Sequence, residues 1–90
     1  MVRVIFPSLI GKVTGERSTE VSAETIREAL NKLVEKYGEN FRKKIYEESG
    51  TLNRYLAFFI KGRMISMTDI LDAKLDPNDE VVIMVIILGG

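Results

Sequence analysis

Val-Val-Ile-Met-Val-Ile-Ile-Leu-Gly-Gly, at positions 81–90, contains the longest apolar run in the chain. An apolar run of this length predicts a strand buried over much of its length, and it follows the turn signal Asp76-Pro77-Asn78-Asp79. Because it is the most continuously apolar candidate strand, we expect it at the centre of a sheet with the first strand beside it. A terminal glycine pair arises by chance in about one chain in 200, so Gly89-Gly90 gains meaning only from what precedes it.

The N-terminal third predicts two strands that pair with each other. Residues 2–6 are strand formers, and alternation places Val2, Val4 and Phe6 on one face. Residues 9–16 carry two glycines, which favours a loop. Residues 17–21 are polar enough for an antiparallel strand at the edge of the sheet.

The main helix is predicted from a capping box and an apolar stripe. Thr25 and Glu28 have the spacing in which each side chain satisfies a backbone N–H at a helix start. Gly38 is placed to end the helix in a left-handed conformation. The apolar stripe recurs at helical spacing and consists of Ile26, Ala29, Leu30, Leu33, Val34 and Tyr37.

The second half of the chain predicts a weaker helix, a hairpin and a helical turn. Residues 41–48 hold the weaker helical pattern, and residues 55–60 form a strand that is apolar on both faces. Lys61-Gly62 favours a tight hairpin turn into residues 63–67. Residues 68–75 are expected to make a turn of helix. The side chains expected to face inward from the two helical segments are Phe41, Ile45, Tyr46, Ile70, Leu71 and Leu75.

Composition excludes several classes of function. The 90 residues contain no cysteine and no histidine, so they provide no disulfide, no Cys/His zinc site and no Ser-His-Asp triad. The apolar runs are far shorter than the roughly 20 residues of a membrane-spanning helix, and the N-terminus lacks a signal-peptide core. We therefore expect a cytoplasmic domain with no membrane partner and no metal.

The charged residues suggest two further functions, nucleic-acid binding and metal binding, and the sequence disfavours both. The run Arg42-Lys43-Lys44 makes the middle of the chain basic, but lysine and arginine balance aspartate and glutamate overall, which disfavours a nucleic-acid binder. The aspartates around residues 76–80 lack the ligand pattern of a calcium loop and are better explained by a turn.

Together these elements predict one α+β domain over residues 1–90, a mixed sheet of four to five strands with one main helix packed on one face. Alternation along the last strand turns Val81, Ile83 and Val85 toward the helix. The side chains expected on the other face are apolar, and they are Val82, Met84, Ile86 and Leu88. Such a face is either a partner surface or is covered by residues 68–75 or by the segment from Phe41.

The order of elements with a terminal diglycine resembles the β-grasp, ubiquitin-like sulfur carriers of the MoaD/ThiS family, and most closely the small subunit of molybdopterin synthase. The segments that carry the resemblance cover most of the chain, and they are Phe6-Pro7-Ser8-Leu9, Thr25-Ile26-Arg27-Glu28-Ala29-Leu30, Ile60-Lys61-Gly62-Arg63 and Leu75-Asp76-Pro77-Asn78-Asp79-Glu80-Val81.

One segment departs from the family pattern. A proline pair and a small residue usually precede the glycines, whereas this chain has Ile86-Ile87-Leu88. Proline prevents strand pairing, so we expect this tail to stay strand-like further out.

The resemblance implies that residues 86–90 are a functional tail. An E1-like adenylating enzyme (MoeB/ThiF-like) would use ATP to activate the Gly90 carboxylate, and a sulfur donor would convert it to a thiocarboxylate. The large subunit of molybdopterin synthase (MoaE-like) would then take up Leu88, Gly89 and Gly90. No cofactor would be bound by the chain itself, and the catalytic residues would lie on its partners. Val82, Met84, Ile86 and Ile87 are the expected partner interface.

Three alternatives stay open. The sulfur could serve thiamine synthesis or tRNA thiolation. The same tail could join the chain to lysines of other proteins as a modifier. The domain could also be an interaction module whose diglycine has no function.

Overall fold

A computed structural model describes residues 1–86 as a mixed sheet with helices on one face. The strands and helices in chain order are β1 (Val2–Ile5), α1 (Ser8–Thr14), β2 (Ser18–Val21), α2 (Ile26–Tyr37), α3 (Glu39–Ile45), β3 (Leu56–Ile60), β4 (Arg63–Met64), a 3-10 turn (Ile70–Asp72) and β5 (Glu80–Val85). The predicted α+β class is confirmed, and two short helices accompany the main one in this part of the chain.

Within residues 1–86 the sheet has five strands in the order β2-β1-β5-β3-β4. β5 lies at the centre, parallel to β1 and antiparallel to β3, as its continuous apolar sequence predicts. β1 and β2 are antiparallel, and the polar β2 forms an edge. The turn at residues 76–79 leads into β5, with Asn78 in a positive-φ conformation that asparagine tolerates.

α2 covers one face of the sheet through its predicted stripe. Ile26, Leu30 and Leu33 are almost fully buried against the inward side chains of β1 and β5. The Thr25 hydroxyl accepts a hydrogen bond from the Glu28 amide at 3.2 Å. The Glu28 carboxylate accepts one from the amide of Glu24, so the capping box closes one residue earlier than the spacing predicts.

The prediction of a loop over residues 9–16 is wrong, because α1 occupies most of this segment. Pro7 precedes the helix, where its missing N–H is not needed, and Gly15 ends the helix in the left-handed conformation. Ile10 is completely buried and fixes α1 to the core. The two glycines therefore mark a helix interior and a helix end instead of an irregular loop.

The second half has the predicted elements, but β4 is limited to Arg63–Met64 instead of 63–67, and α3 spans Glu39–Ile45 instead of 41–48. Phe41 and Ile45 of α3 are fully buried, and the β3–β4 hairpin turns through Lys61 and Gly62, both at positive φ. Gly38 has φ 85° and ψ −162°, a glycine-only conformation different from the predicted left-handed one, and it lets α3 start directly after α2. Ile70 is fully buried beside α2.

None of the helices in residues 1–86 is long and apolar enough to cross a membrane.

Candidate functional site

The face of the sheet opposite α2 carries a continuous apolar surface, which we call the outer patch. Strand register aligns Ile5 beside Val82, Val82 beside Phe59 and Phe59 beside Met64. Met84 and Ile86 extend this row along β5 toward the tail. The outer patch therefore consists of Ile5, Phe59, Met64, Val82, Met84 and Ile86.

Burial confirms the predicted alternation along β5. Val81 and Ile83 face the core and are almost fully buried, whereas Met84 is 50% and Ile86 36% exposed. Within residues 1–86, neither residues 68–75 nor the segment from Phe41 covers this face, because Ile70 and Phe41 are buried in the core on the helical side. An exposed apolar surface of this kind is typical of a partner-binding site.

A groove adds depth to the outer patch at the end of β1. Pro7 and Leu9, at the start of α1, lie beside Val82 and Met84 and form with Ile5 an open, shallow depression of about 470 Å³. Leu9 is well exposed although it is apolar. The groove could hold one apolar side chain of a partner.

Charged groups border the outer patch at the end away from the tail. The Lys61 ammonium lies 2.8 Å from the Asp76 carboxylate and 3.7 Å from that of Asp79. The hydrogen bond and charge of Asp76 raise the pKa of Lys61. The Asp79 carboxylate also accepts a hydrogen bond from the Asp76 amide, which is a turn contact. Within residues 1–86, no group of three or more acidic side chains is placed to hold a metal ion.

Ile86, the first residue of the predicted tail, lies beside the segment that precedes β3. The Ile86 amide donates a hydrogen bond to the Tyr55 carbonyl at 2.6 Å, so pairing continues one residue beyond β5. This confirms the strand-like prediction for Ile86. The other predicted tail residues, Ile87, Leu88, Gly89 and Gly90, lie outside the described residues.

Ion pairs fix the segment before β3, in which the Tyr55 carbonyl accepts the hydrogen bond from Ile86. The Glu47 carboxylate accepts hydrogen bonds from both the backbone amide and the guanidinium of Arg54, at 2.9 to 3.1 Å. The guanidinium hydrogen bond is the main reason that the pKa of Glu47 is lowered. Arg42 is likewise paired with Glu39. The basic run is thus partly neutralised, which gives the nucleic-acid alternative no support.

Sequence reasoning missed three members of the outer patch, namely Ile5, Phe59 and Met64. In the sequence, alternation along β1 places Ile5 on the outer face together with Arg3, and β3 is apolar on both faces. Those signals identify an apolar outer face, but only the strand register shows that the three side chains join Val82 in one row.

The fold and the outer patch define a class of protein. A five-stranded mixed sheet over residues 1–86, with a parallel central pair and a helix across one face, is the β-grasp, ubiquitin-like architecture. Residues 4–90 match the sequence model of the ThiS family, so the chain belongs to that family of ubiquitin-fold sulfur carriers. No curated protein sequence matches the chain significantly.

Solved structures confirm the fold. CysO in the Amycolatopsis orientalis BexX/CysO complex is 22% identical, with a TM-score of 0.82 and full coverage of both chains. Small archaeal modifier protein 1 from Methanosarcina acetivorans is 23% identical, with a TM-score of 0.83 over 99% of this chain and 95% of that one. A putative molybdopterin converting factor, subunit 1, from Pyrococcus furiosus is 17% identical, with a TM-score of 0.70 over 96% and 97%.

Proposed function

We propose that the protein carries sulfur as a thiocarboxylate on Gly90 and donates it as the small subunit of a molybdopterin synthase. The observation that carries the proposal is the family match over residues 4–90, which includes Gly89-Gly90. The outer patch supports it, because an apolar surface beside the exit of the tail lets a partner hold the domain and the tail together.

The proposed chemistry needs an activated carboxyl group. The Gly90 carboxylate attacks the α-phosphorus of ATP, pyrophosphate leaves, and an acyl-adenylate forms. Hydrosulfide (HS−) supplied by the donor then attacks the acyl carbon, AMP leaves with the bonding electron pair, and the resulting thioacid loses its proton. The product is the thiocarboxylate. Glycines suit this role because the absence of a Cβ allows passage through a narrow channel.

Two partners follow from this chemistry, and the outer patch would serve both in turn. An E1-like adenylating enzyme supplies the ATP-dependent step, and the large subunit of the synthase receives the sulfur. Both would contact Val82, Met84, Ile86 and Ile87 and would enclose Leu88, Gly89 and Gly90. ATP is bound by the activating enzyme, and the reaction takes place in the cytoplasm, where ATP is available.

The test is sulfur loading of the full chain. Incubation with the adenylating enzyme of the same organism, ATP and a sulfur donor should replace one oxygen of the protein by sulfur, as measured by the mass of its C-terminal fragment. A variant lacking Gly89 and Gly90 is the control, and it should keep its fold and remain unloaded. Loading of the truncated variant, or none of the full chain, would contradict the proposal.

The recipient pathway is tested separately. Loaded protein mixed with the large subunit and the pterin precursor should yield molybdopterin, because the order of elements with the terminal diglycine resembles the small subunit of molybdopterin synthase. Transfer to a thiazole precursor or to tRNA instead would assign the same carrier chemistry to thiamine synthesis or to tRNA thiolation.

A second candidate is a protein modifier, favoured by the structural likeness to a small archaeal modifier protein. Here the amine of a target lysine attacks the acyl-adenylate in place of sulfur. Digests of cellular protein should then contain lysines that carry a remnant of the tail. A third possibility, an interaction module, predicts that the variant lacking Gly89 and Gly90 keeps all of its binding.

A further inference from the structure

The methionines of this protein are all on the surface. The chain contains four, and Met1, Met64, Met67 and Met84 are between 39% and 63% exposed. The buried core of residues 1–86 is built from isoleucine, leucine, valine, phenylalanine and alanine without any methionine. Methionine is normally among the residues most often buried, so this distribution separates the thioethers from the part of the protein that holds the fold together.

Two of these methionines lie within the outer patch. Met84 projects between Val82 and Ile86 on β5, and its cross-strand neighbour on β3 is the small Ala57. Met64 lies across from Phe59 on the edge strand β4. The neighbours therefore leave both side chains open to solvent. The other two, Met1 and Met67, lie outside the patch.

The chemistry of an exposed thioether is two-electron oxidation. The methionine sulfur attacks one oxygen of hydrogen peroxide, the O–O bond breaks, and the second oxygen leaves as water after taking up a proton. Sulfur is oxidised to the sulfoxide and peroxide is reduced. Because the chain has no cysteine, its methionines are the side chains able to react in this way.

We infer that Met84 and Met64 form an oxidation-sensitive modification site. Sulfoxide formation by a peroxide at this site weakens docking of the adenylating enzyme on the outer patch, and reduction restores it. A sulfoxide places a strong hydrogen-bond acceptor in a surface that a partner would desolvate, and an acceptor left without a donor opposes binding. The fold is spared because no core side chain is changed.

The first measurement is independent of the proposed function. Full-length protein treated with hydrogen peroxide should gain sulfoxides at Met84 and Met64 by peptide mass spectrometry while its thermal unfolding midpoint stays nearly unchanged. Binding of the apolar dye anilinonaphthalene sulfonate should fall, and a methionine sulfoxide reductase should restore it. Unfolding on oxidation, or unchanged dye binding after complete oxidation, would overturn the inference.

The second measurement rests on the proposed function and uses the adenylating enzyme. Oxidation should raise the KM for this protein about tenfold with little change in kcat, since one unpaired polar group in an interface has an effect of this size. The Met64→Leu/Met84→Leu variant should resist peroxide, whereas Met67→Leu should remain as sensitive as the wild type. Equal sensitivity of both variants would overturn the inference.

Failure of the proposed function can be told apart from failure of the inferred modification site. If unoxidised wild-type protein is not adenylated at all, the proposed function fails while the dye and mass measurements still decide the modification site.

Discussion

Leu30 and Met84 illustrate how the position of one side chain determines what its substitution changes. Leu30 is 2% exposed and lies between α2 and the sheet, so it serves stability. Met84 is half exposed on the opposite face and contributes little to the core. Both positions were predicted from periodicity, because a helical stripe and a strand alternation each assign a residue to a face.

Replacing Leu30 by aspartate should unfold the domain. The substitution removes a buried apolar side chain and places a charge in the core, which destabilises by about 4 kcal/mol or more, comparable with the whole stability of a small domain. Asn31→Asp, on the exposed side of the same helix, is the matched control and should unfold near the wild-type midpoint. Circular dichroism against urea measures both. A folded Leu30→Asp protein would contradict the core assignment.

Replacing Met84 by glutamate should leave the fold intact and weaken docking. A charge at the centre of an apolar interface must be desolvated, so we expect the KM of the adenylating enzyme for this protein to rise by about tenfold or more. Met67→Glu makes the same change at an exposed methionine outside the patch and should behave as the wild type. Equal effects of the two substitutions would show that the outer patch is not the docking surface.

The elements differ in how well the sequence specifies them. α2 has a strong periodic stripe and β5 a continuous apolar run, and both bounds of α2 and the start of β5 were predicted within about one residue. α1 was missed because it is only seven residues long and contains Gly11, a residue that disfavours helices. Its existence depends on tertiary contact through Ile10, and short-range sequence patterns do not contain that information.

A substitution at Ile86, directly after β5, tests whether its hydrogen bond to Tyr55 stabilises the fold. Ile86→Pro removes the N–H that bonds to the Tyr55 carbonyl, so it should lower the free energy of unfolding by about 1 kcal/mol more than Ile86→Ala, which keeps this N–H. Urea denaturation of both variants measures the difference. The proline variant keeps Gly89 and Gly90, so it should still be loaded with sulfur. A proline variant as stable as the alanine variant would show that the hydrogen bond contributes nothing.

At the scale of the whole domain, two ion pairs contribute to the dependence of folding stability on pH. Hydrogen bonds from Arg42 and Arg54 lower the pKa of Glu39 and Glu47, respectively, below the ordinary value of 4.5. Each carboxyl group thus binds protons more weakly in the folded than in the unfolded state. Their contribution to stability is present above the unfolded pKa and is lost as the pH falls through the lowered folded pKa.

The Glu39→Gln/Glu47→Gln variant should therefore lose less stability than the wild type between pH 5 and pH 3, an interval of about two units around the ordinary glutamate pKa. Because Glu39 is exposed and Glu47 is only partly buried, the difference should be small and should shrink in salt. Glu35→Gln, on the exposed face of α2, is the control, and urea denaturation across this pH range is the measurement. Identical pH dependence of the double variant and the wild type would contradict the role of these pairs.

The most direct measurement is the position of the sulfur atom after loading. Exchange of oxygen for sulfur adds nominally the same mass as oxidation of one methionine, and this chain has four methionines, so intact mass alone is ambiguous. Fragmentation of protein incubated with the adenylating enzyme, ATP and a sulfur donor should place the added mass on the C-terminal fragment that contains Gly90, and only when ATP is present. An ATP-independent increase located on Met64 or Met84, with an unmodified C-terminal fragment, would contradict a sulfur-carrying tail.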